Sequence, residues 1–181
     1  MKLRKLALAG SIFSVILSIS GCGYNSLVQM DERVNQAWAQ VENQYQRRAD
    51  LIPNLVKTVQ GYAEFEKGVL EQVTELRSKV GQIKLSAEDL SDEQKFKQFQ
   101  EAQDQLSGAL SRLLVVAENY PQLKANENFL ALQTQLEGTE NRISVERKKF
   151  NEAVQDYNTS IRSFPTINYS KDIRIQGKAI F

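Results

Sequence analysis

Arg47-Arg48-Ala49-Asp50-Leu51-Ile52-Pro53-Asn54-Leu55-Val56 sets two arginines, an aspartate and a proline inside an apolar run. How those four residues are read decides how many helices the chain has. On either side, apolar residues recur at three-four spacing: Leu27, Val34, Trp38, Val41 and Tyr45 before, and Ile52, Leu55, Val59, Tyr62, Val69, Val73, Leu76, Val80 and Ile83 after. That is the helical period, and no strand-like alternation of any length interrupts it. Positions 45, 48, 52, 55 and 59 share one stripe, as expected of a single helix kinked at Pro53, about 57 residues or roughly 85 Å long. Such a helix leaves Val34, Trp38, Val41 and Tyr45 projecting beyond its neighbours, and each large apolar side chain left uncovered costs roughly 1.5–3 kcal/mol. A corner removes the difficulty. Arg47 and Arg48 oppose the negative end of one helix dipole, Asp50 caps the next helix, and Pro53 sits in its first turn, where a missing N–H is tolerated.

The corner is the favoured reading. The expected fold is all-α: an antiparallel up-and-down bundle of four long helices over 27–49, 53–83, 91–120 and 122–164, the alternative being three helices with the first kinked at Pro53. Two further runs support this, Phe96, Phe99, Leu106, Leu110, Leu113, Ala117 and Tyr120, then Phe129, Leu132, Leu136, Ile143, Phe150, Val154, Tyr157, Ile161 and Phe164. Gly81–Ser91 breaks the pattern, and Ser91-Asp92-Glu93-Gln94 fits a capping box. Packing about the 84–90 loop brings RRADLIPN level with the polar turn 117–129, at the end of the bundle farthest from the membrane.

The membrane enters through residues 1–22. MKLRK is a basic leader, Leu6–Ser20 an apolar stretch within signal-peptide length, and Ile19-Ser20-Gly21-Cys22 reads as a lipobox. The expected division is a lipoprotein signal peptide at 1–21, lipidated Cys22 with a short tether at 22–26, the bundle at 27–164 and a tail at 165–181. Each buried CH₂ of palmitate or a similar acyl chain contributes roughly 0.8 kcal/mol, so two or three chains hold the protein at the membrane. The other reading of the leader is a plain membrane anchor ending in cysteine. Both place the rest of the chain outside the cytoplasm, in the bacterial cell envelope.

Composition excludes more than it implies. With no histidine and a single cysteine, the chain cannot form a Cys/His zinc site, a Ser-His-Asp triad or an intramolecular disulfide. Without Lys2, Arg4 and Lys5, 20 basic residues face 22 acidic ones, a side-chain charge of −2, which is no footprint for nucleic acid. No Gly-rich phosphate loop is present, and no cofactor or metal is expected.

Tyr24-Asn25-Ser26-Leu27-Val28, Ala37-Trp38, RRADLIPNLV and Val59-Gln60-Gly61-Tyr62 together resemble the LemA family. So do the segment ENYPQLKANENF (118–129), Glu140-Asn141-Arg142-Ile143, Phe150-Asn151-Glu152-Ala153-Val154 with Tyr157-Asn158, and Ser163-Phe164-Pro165. The motifs follow the family's order over residues 24–165. The resemblance implies a small membrane-tethered helical bundle of bacteria. Its members are typically held by an N-terminal transmembrane helix, and here a lipobox stands in that place.

Two sets of polar residues are candidates for function. Arg48, Glu66, Glu140 and Arg147 fall on apolar stripes, where they serve either as seam ion pairs fixing helix register or as a buried acid/base constellation. The apical set, Arg47, Arg48, Asp50, Asn54, Glu118, Tyr120, Lys124, Asn126 and Asn128, offers amide and guanidinium donors suited to a polar partner surface or an anionic ligand, although each also has a cap or turn role open to it. Asn151 and Asn158, a heptad apart, line a polar face or are merely solvated. In the tail, Ile173, Ile175 and Ile180 with Lys171, Arg174 and Lys178 either touch lipid headgroups or lack order. The expected function is that of a non-enzymatic, lipid-anchored scaffold or adaptor with an envelope protein as partner. The alternatives are a binding module for an anionic lipid or cell-wall polymer, and an enzyme using Glu66 or Glu140.

Overall fold

The computed structural model describes residues 2–62, 66–163 and 176–181, with side chains from Asn25 onward. The leader residues, Cys22, Phe164 and tail residues 165–175 therefore lie outside the described side chains. Helix α1 spans Lys2–Gln60, α2 Lys67–Gln82, α3 Glu93–Ala117, α4 Pro121–Lys124 and α5 Glu127–Arg162, and a 3-10 turn occupies Ala87–Ser91. The fold is an all-α bundle with four long helices, as the apolar spacing requires.

The corner at Arg47–Pro53 does not exist. α1 runs through Pro53, and the chain turns after Gln60, with Lys57 in the last helical turn and Gly61 just beyond it. Asp50 is no cap, since it accepts from Gln46 one turn earlier at 2.7 Å. The predicted helix 53–83 is thus divided between the end of α1 and a short α2. Pro53 lacks the N–H that would satisfy the carbonyl of Ala49, and the structure supplies a substitute: Arg77 Nε of α2 donates to that carbonyl at 2.9 Å. Arg77→Met should therefore cost about 1–2 kcal/mol in the parent chain and distinctly less beside Pro53→Ala, where the backbone N–H gained at that position recovers the carbonyl. A denaturant double-mutant cycle measures that difference. Additive effects would mean that Arg77 acts elsewhere.

The other boundaries shift by smaller amounts. Asp92, one residue beyond the expected Ser91, caps α3 by accepting from the N–H groups of Gln94 and Lys95, both at 3.1 Å. The capping box itself belongs to Ser86 and Asp89 at the 3-10 turn. Pro121 opens α4, and Asn126 caps α5 by accepting from Phe129 N–H at 3.0 Å.

α1 packs antiparallel on α5 and α2 on α3. The contacts Tyr62–Asn126, Arg48–Glu140 and Trp38–Phe150 advance equally along α1 and α5, so one register holds throughout. Two apolar cores result. The upper one contains Ile52, Leu55, Val73, Leu110, Leu113 and Phe129. The lower one contains Trp38, Val41, Phe96, Phe99, Phe150 and Val154. At about 24 Å, α2 reaches only the upper core. Below it, Leu85 and Leu90 of the connecting segment and Phe181 of the tail take the fourth position. The face of Val34, Trp38, Val41 and Tyr45 is consequently covered although α1 is continuous: Trp38 is 1% exposed and its indole N–H donates to Leu85 O at 3.3 Å.

Candidate functional site

Between the two cores lies a polar layer. Arg48, on the inner stripe of α1, is 1% exposed. Its Nη1 donates to Glu140 Oε1 of α5 at 2.8 Å and to Ser107 Oγ of α3. Its Nη2 donates to the side chain and the carbonyl of Gln103 at 2.5 and 3.3 Å. Ser107 Oγ in turn donates to Glu140 Oε2 at 3.1 Å, and the guanidinium lies 5.2 Å from the centre of the Tyr45 ring. One cation therefore joins three helices. A buried charge held this way adds less to stability than to register, because any slip strands it without a counter-ion. Chemically, the layer leaves Glu140 engaged on both oxygens by Arg48 and Ser107.

The remaining stripe charges do not join it. Arg147 pairs with Asp104 at 2.9 Å on the exposed side of α3 and covers the Phe181 ring at 4.1 Å. Glu66 is exposed at the head of α2, roughly 20 Å up the bundle from Glu140 by helical rise, so the two carboxylates form no pair. Among the described residues no group of three or more acidic or cysteine side chains is placed to hold a metal.

Tyr45 borders the layer. Its hydroxyl is buried with no hydrogen-bond partner among the described residues, and burial pushes the phenol up to about 12. An acid whose folded pKa is raised stabilises fully below its unfolded value, near 10, and that contribution is lost as pH climbs from 10 to 12. Tyr45→Phe should therefore be neutral or stabilising by about 0.5–1 kcal/mol at pH 7, and should flatten the fall in stability above pH 10. Urea midpoints measured from pH 8 to 11.5 test both parts.

The structure divides the predicted apical set in two. Glu118, Tyr120, Lys124, Asn126 and Asn128 lie at the apex with Gln60 and Tyr62. Arg47, Arg48, Asp50 and Asn54 lie down α1, about 18 Å from Gln60 in the case of Arg48. Arg47, Asp50 and Asn54 are exposed there, while Arg48 is enclosed. At the apex, Asn126 caps α5 and also donates to Tyr62 Oη at 3.1 Å, and Lys124 pairs with Glu118 across the turn. Glu118, Lys124 and Asn128 face solvent.

Gln103 and Ser107 were not legible as site residues, although two polar residues one turn apart on the stripe of Phe99, Leu106 and Leu110 were a signal. Asn151 and Asn158 have a definite task. Asn158 holds the backbone of Lys178, and Asn151 accepts from Phe181 N–H at 3.0 Å. Tail residues 176–181 thus neither reach for headgroups nor lie free, but fold back on the bundle.

The sequence profile of the LemA family matches residues 37–181. The magnetosome protein MamQ of Magnetospirillum gryphiswaldense is 28% identical over 179 residues, covering 89% of this chain and 66% of that protein. MamQ 2 of Paramagnetospirillum magneticum is 28% identical over 173 residues, covering 86% and 64%. Protein LemA of Metamycoplasma hominis is 24% identical over 157 residues, covering 87% and 68%. The chain spans slightly less than two thirds of the length of the MamQ proteins it matches. Among the described residues no helix is long and apolar enough to cross a membrane.

Proposed function

From the premise that this chain belongs to the LemA family, we propose that it is a non-enzymatic scaffold, held at the membrane of the bacterial envelope through lipid on Cys22, that presents its apical turn to a partner protein. The observation carrying this reading is the polar layer. Glu140, the half-buried carboxylate of the layer, is engaged on both oxygens by Arg48 and Ser107, an arrangement suited to a rigid support rather than to proton transfer. Exposed Glu118, Lys124 and Asn128 give the apex solvent-facing charged and amide groups of the kind a polar docking surface uses. Lipid on Cys22 agrees with the lipobox and asks nothing of a spanning helix.

The test is cross-linking in intact cells, followed by mass spectrometry of the purified full chain. Wild type is compared with Glu118→Ala/Lys124→Ala/Asn128→Ala, and metabolic palmitate labelling is compared between wild type and Cys22→Ala. The scaffold reading expects a protein captured by wild type and lost from the folded apical variant, with label lost from Cys22→Ala. An unchanged capture pattern would refute the apical assignment, and undiminished labelling would refute the anchor.

A further inference from the structure

The way residues 176–181 are held is that of a ligand in a binding groove. Asn158 of α5 treats Lys178 as a strand neighbour would: its Oδ1 accepts from Lys178 N–H at 2.9 Å and its Nδ2 donates to Lys178 O at 2.8 Å. Ala179 N–H donates to Leu90 O at 2.8 Å, and Phe181 N–H to Asn151 Oδ1 at 3.0 Å. Three successive sites therefore read the main chain of an extended segment.

Side-chain positions are read as well. A Cβ at Gly177 would lie 3.2 Å from Asn158 Oδ1, so any larger residue before the lysine presses on the amide that holds its main chain. Lys178 Nζ enters a pocket in which it meets Asp31 at 2.7 Å and donates to Asn35 Oδ1 at 3.0 Å, above the Tyr157 ring at 5.4 Å, leaving 10% of the side chain exposed. Ala179 packs on the lower core. Ile180 points outward, 55% exposed, and carries no specificity. The Phe181 ring fills an aromatic socket whose nearest walls are Phe96 at 4.9 Å and Phe150 at 5.7 Å, with Trp38 stacked beyond at 6.2 Å.

A strap that only closed the core would need Phe181 and little else. Sinking a lysine beside Asp31 adds selectivity, because a residue without that cation leaves Asp31 unpaired, while the two asparagine amides on main-chain atoms add affinity for an extended segment. Asp31, Asn151 and Asn158 stand on α1 and α5, whose register the polar layer fixes, so the recognition groups do not depend on the tail for their positions. We propose that this groove is a peptide-recognition site for an extended segment of the form Gly–Lys–Ala–x–Phe on a partner protein, and that residues 176–181 are the ligand it holds in cis. The partner docks by displacing them. This adds a second contact surface, far from the apex, and depends on none of the apical residues.

A tethered ligand competes at an effective concentration of about millimolar, which weakens any external peptide in proportion. The experiment uses the full chain carrying Gly177→Val/Phe181→Ala, its helicity matched to wild type by circular dichroism, and a fluorescein-labelled Gln-Gly-Lys-Ala-Ile-Phe peptide followed by anisotropy. Binding to this chain should be at least about tenfold tighter than to wild type, and should fall about tenfold or more when Asn158→Ala is added or when the peptide carries Val for Gly. If Asn158→Ala disturbs folding, charge reversal decides instead: adding Asp31→Lys should favour a peptide with Glu in place of Lys. Equal or absent binding to wild type and tail-displaced chains, or indifference to the Gly and Lys positions, overturns the proposal. Dimerisation of wild type that rises with concentration and vanishes on tail displacement would make a second copy the occupant, and would overturn the partner reading. Apical variants should bind the peptide normally, so failure of the apical scaffold and failure of this groove are told apart.

Discussion

Arg48→Ala should lower the unfolding free energy by about 3–5 kcal/mol in urea, read by far-ultraviolet circular dichroism and by the fluorescence of Trp38, the only tryptophan. The substitution removes four hydrogen bonds at once, to Glu140, to Ser107, and to the side chain and carbonyl of Gln103. It leaves Glu140 without its cation and the Gln103 amide oxygen without its donor, and opens the space of a large, fully buried side chain. For a domain whose whole stability is on the order of 5–15 kcal/mol, that is a large fraction. An effect below about 1 kcal/mol would mean that water replaces the guanidinium without difficulty and that the layer does not hold the helices in register.

Phe150→Ala should be of similar size, about 3–5 kcal/mol, because Phe150 is 0% exposed and contacts Trp38, Phe96 and Phe181 at ring separations of 5.4, 6.1 and 5.7 Å. Its loss removes wall from both the lower core and the socket of Phe181, so Trp38 emission in the native state should shift along with the midpoint. Phe150→Leu keeps most of the volume and should cost about 1–1.5 kcal/mol. If the alanine and leucine variants were equally stable, the lower core would not be close-packed around this ring.

Much of the fold could be read from the chain because its apolar stripes have no competing period, and the stripe through 45, 48, 52, 55 and 59 was already that of one helix. The corner follows from a sound premise carried too far: apolar side chains need cover, but helices are not its sole source. In the folded protein a connecting segment and a tail, neither with any periodicity to read, shelter Trp38 through Leu85, Leu90 and Phe181. Local chemistry could not correct this. Asp50 and Pro53 suit a helix start as well as they suit a helix interior in which Gln46 and Arg77 answer them, and the choice lies in residues far along the chain. Meanwhile Lys57 and Gly61 held the ordinary signals of a helix end.

The site was legible to the same degree. Arg48 and Glu140 stood out as charges on apolar stripes, yet that they meet depends on the α1–α5 register, which the displaced corner would have shifted. Asn151 and Asn158 showed their heptad spacing but not their object, since the segment they hold is extended and short. The apical set rests on pairing about the 84–90 loop, which sets Tyr120 level with residues near 55; α1 runs on to Gln60, so only the second half of that set, Glu118 to Asn128, lies at the apex.

On the proposed function, the interior polar groups clamp the bundle while partners are met at its surfaces. Arg48→Met/Gln103→Leu/Glu140→Met replaces the clamp with apolar contacts of similar volume, a change that leaves buried ion pairs of this kind neutral or more stable. We would express this variant in cells, establish that its melting temperature equals or exceeds that of wild type, and cross-link it beside the parent chain. If the layer only clamps, this variant captures whatever protein the parent chain captures, in the same yield. A variant that is fully folded yet loses that protein would contradict this reading, and would place the chemistry of this protein in Arg48 and Glu140 themselves.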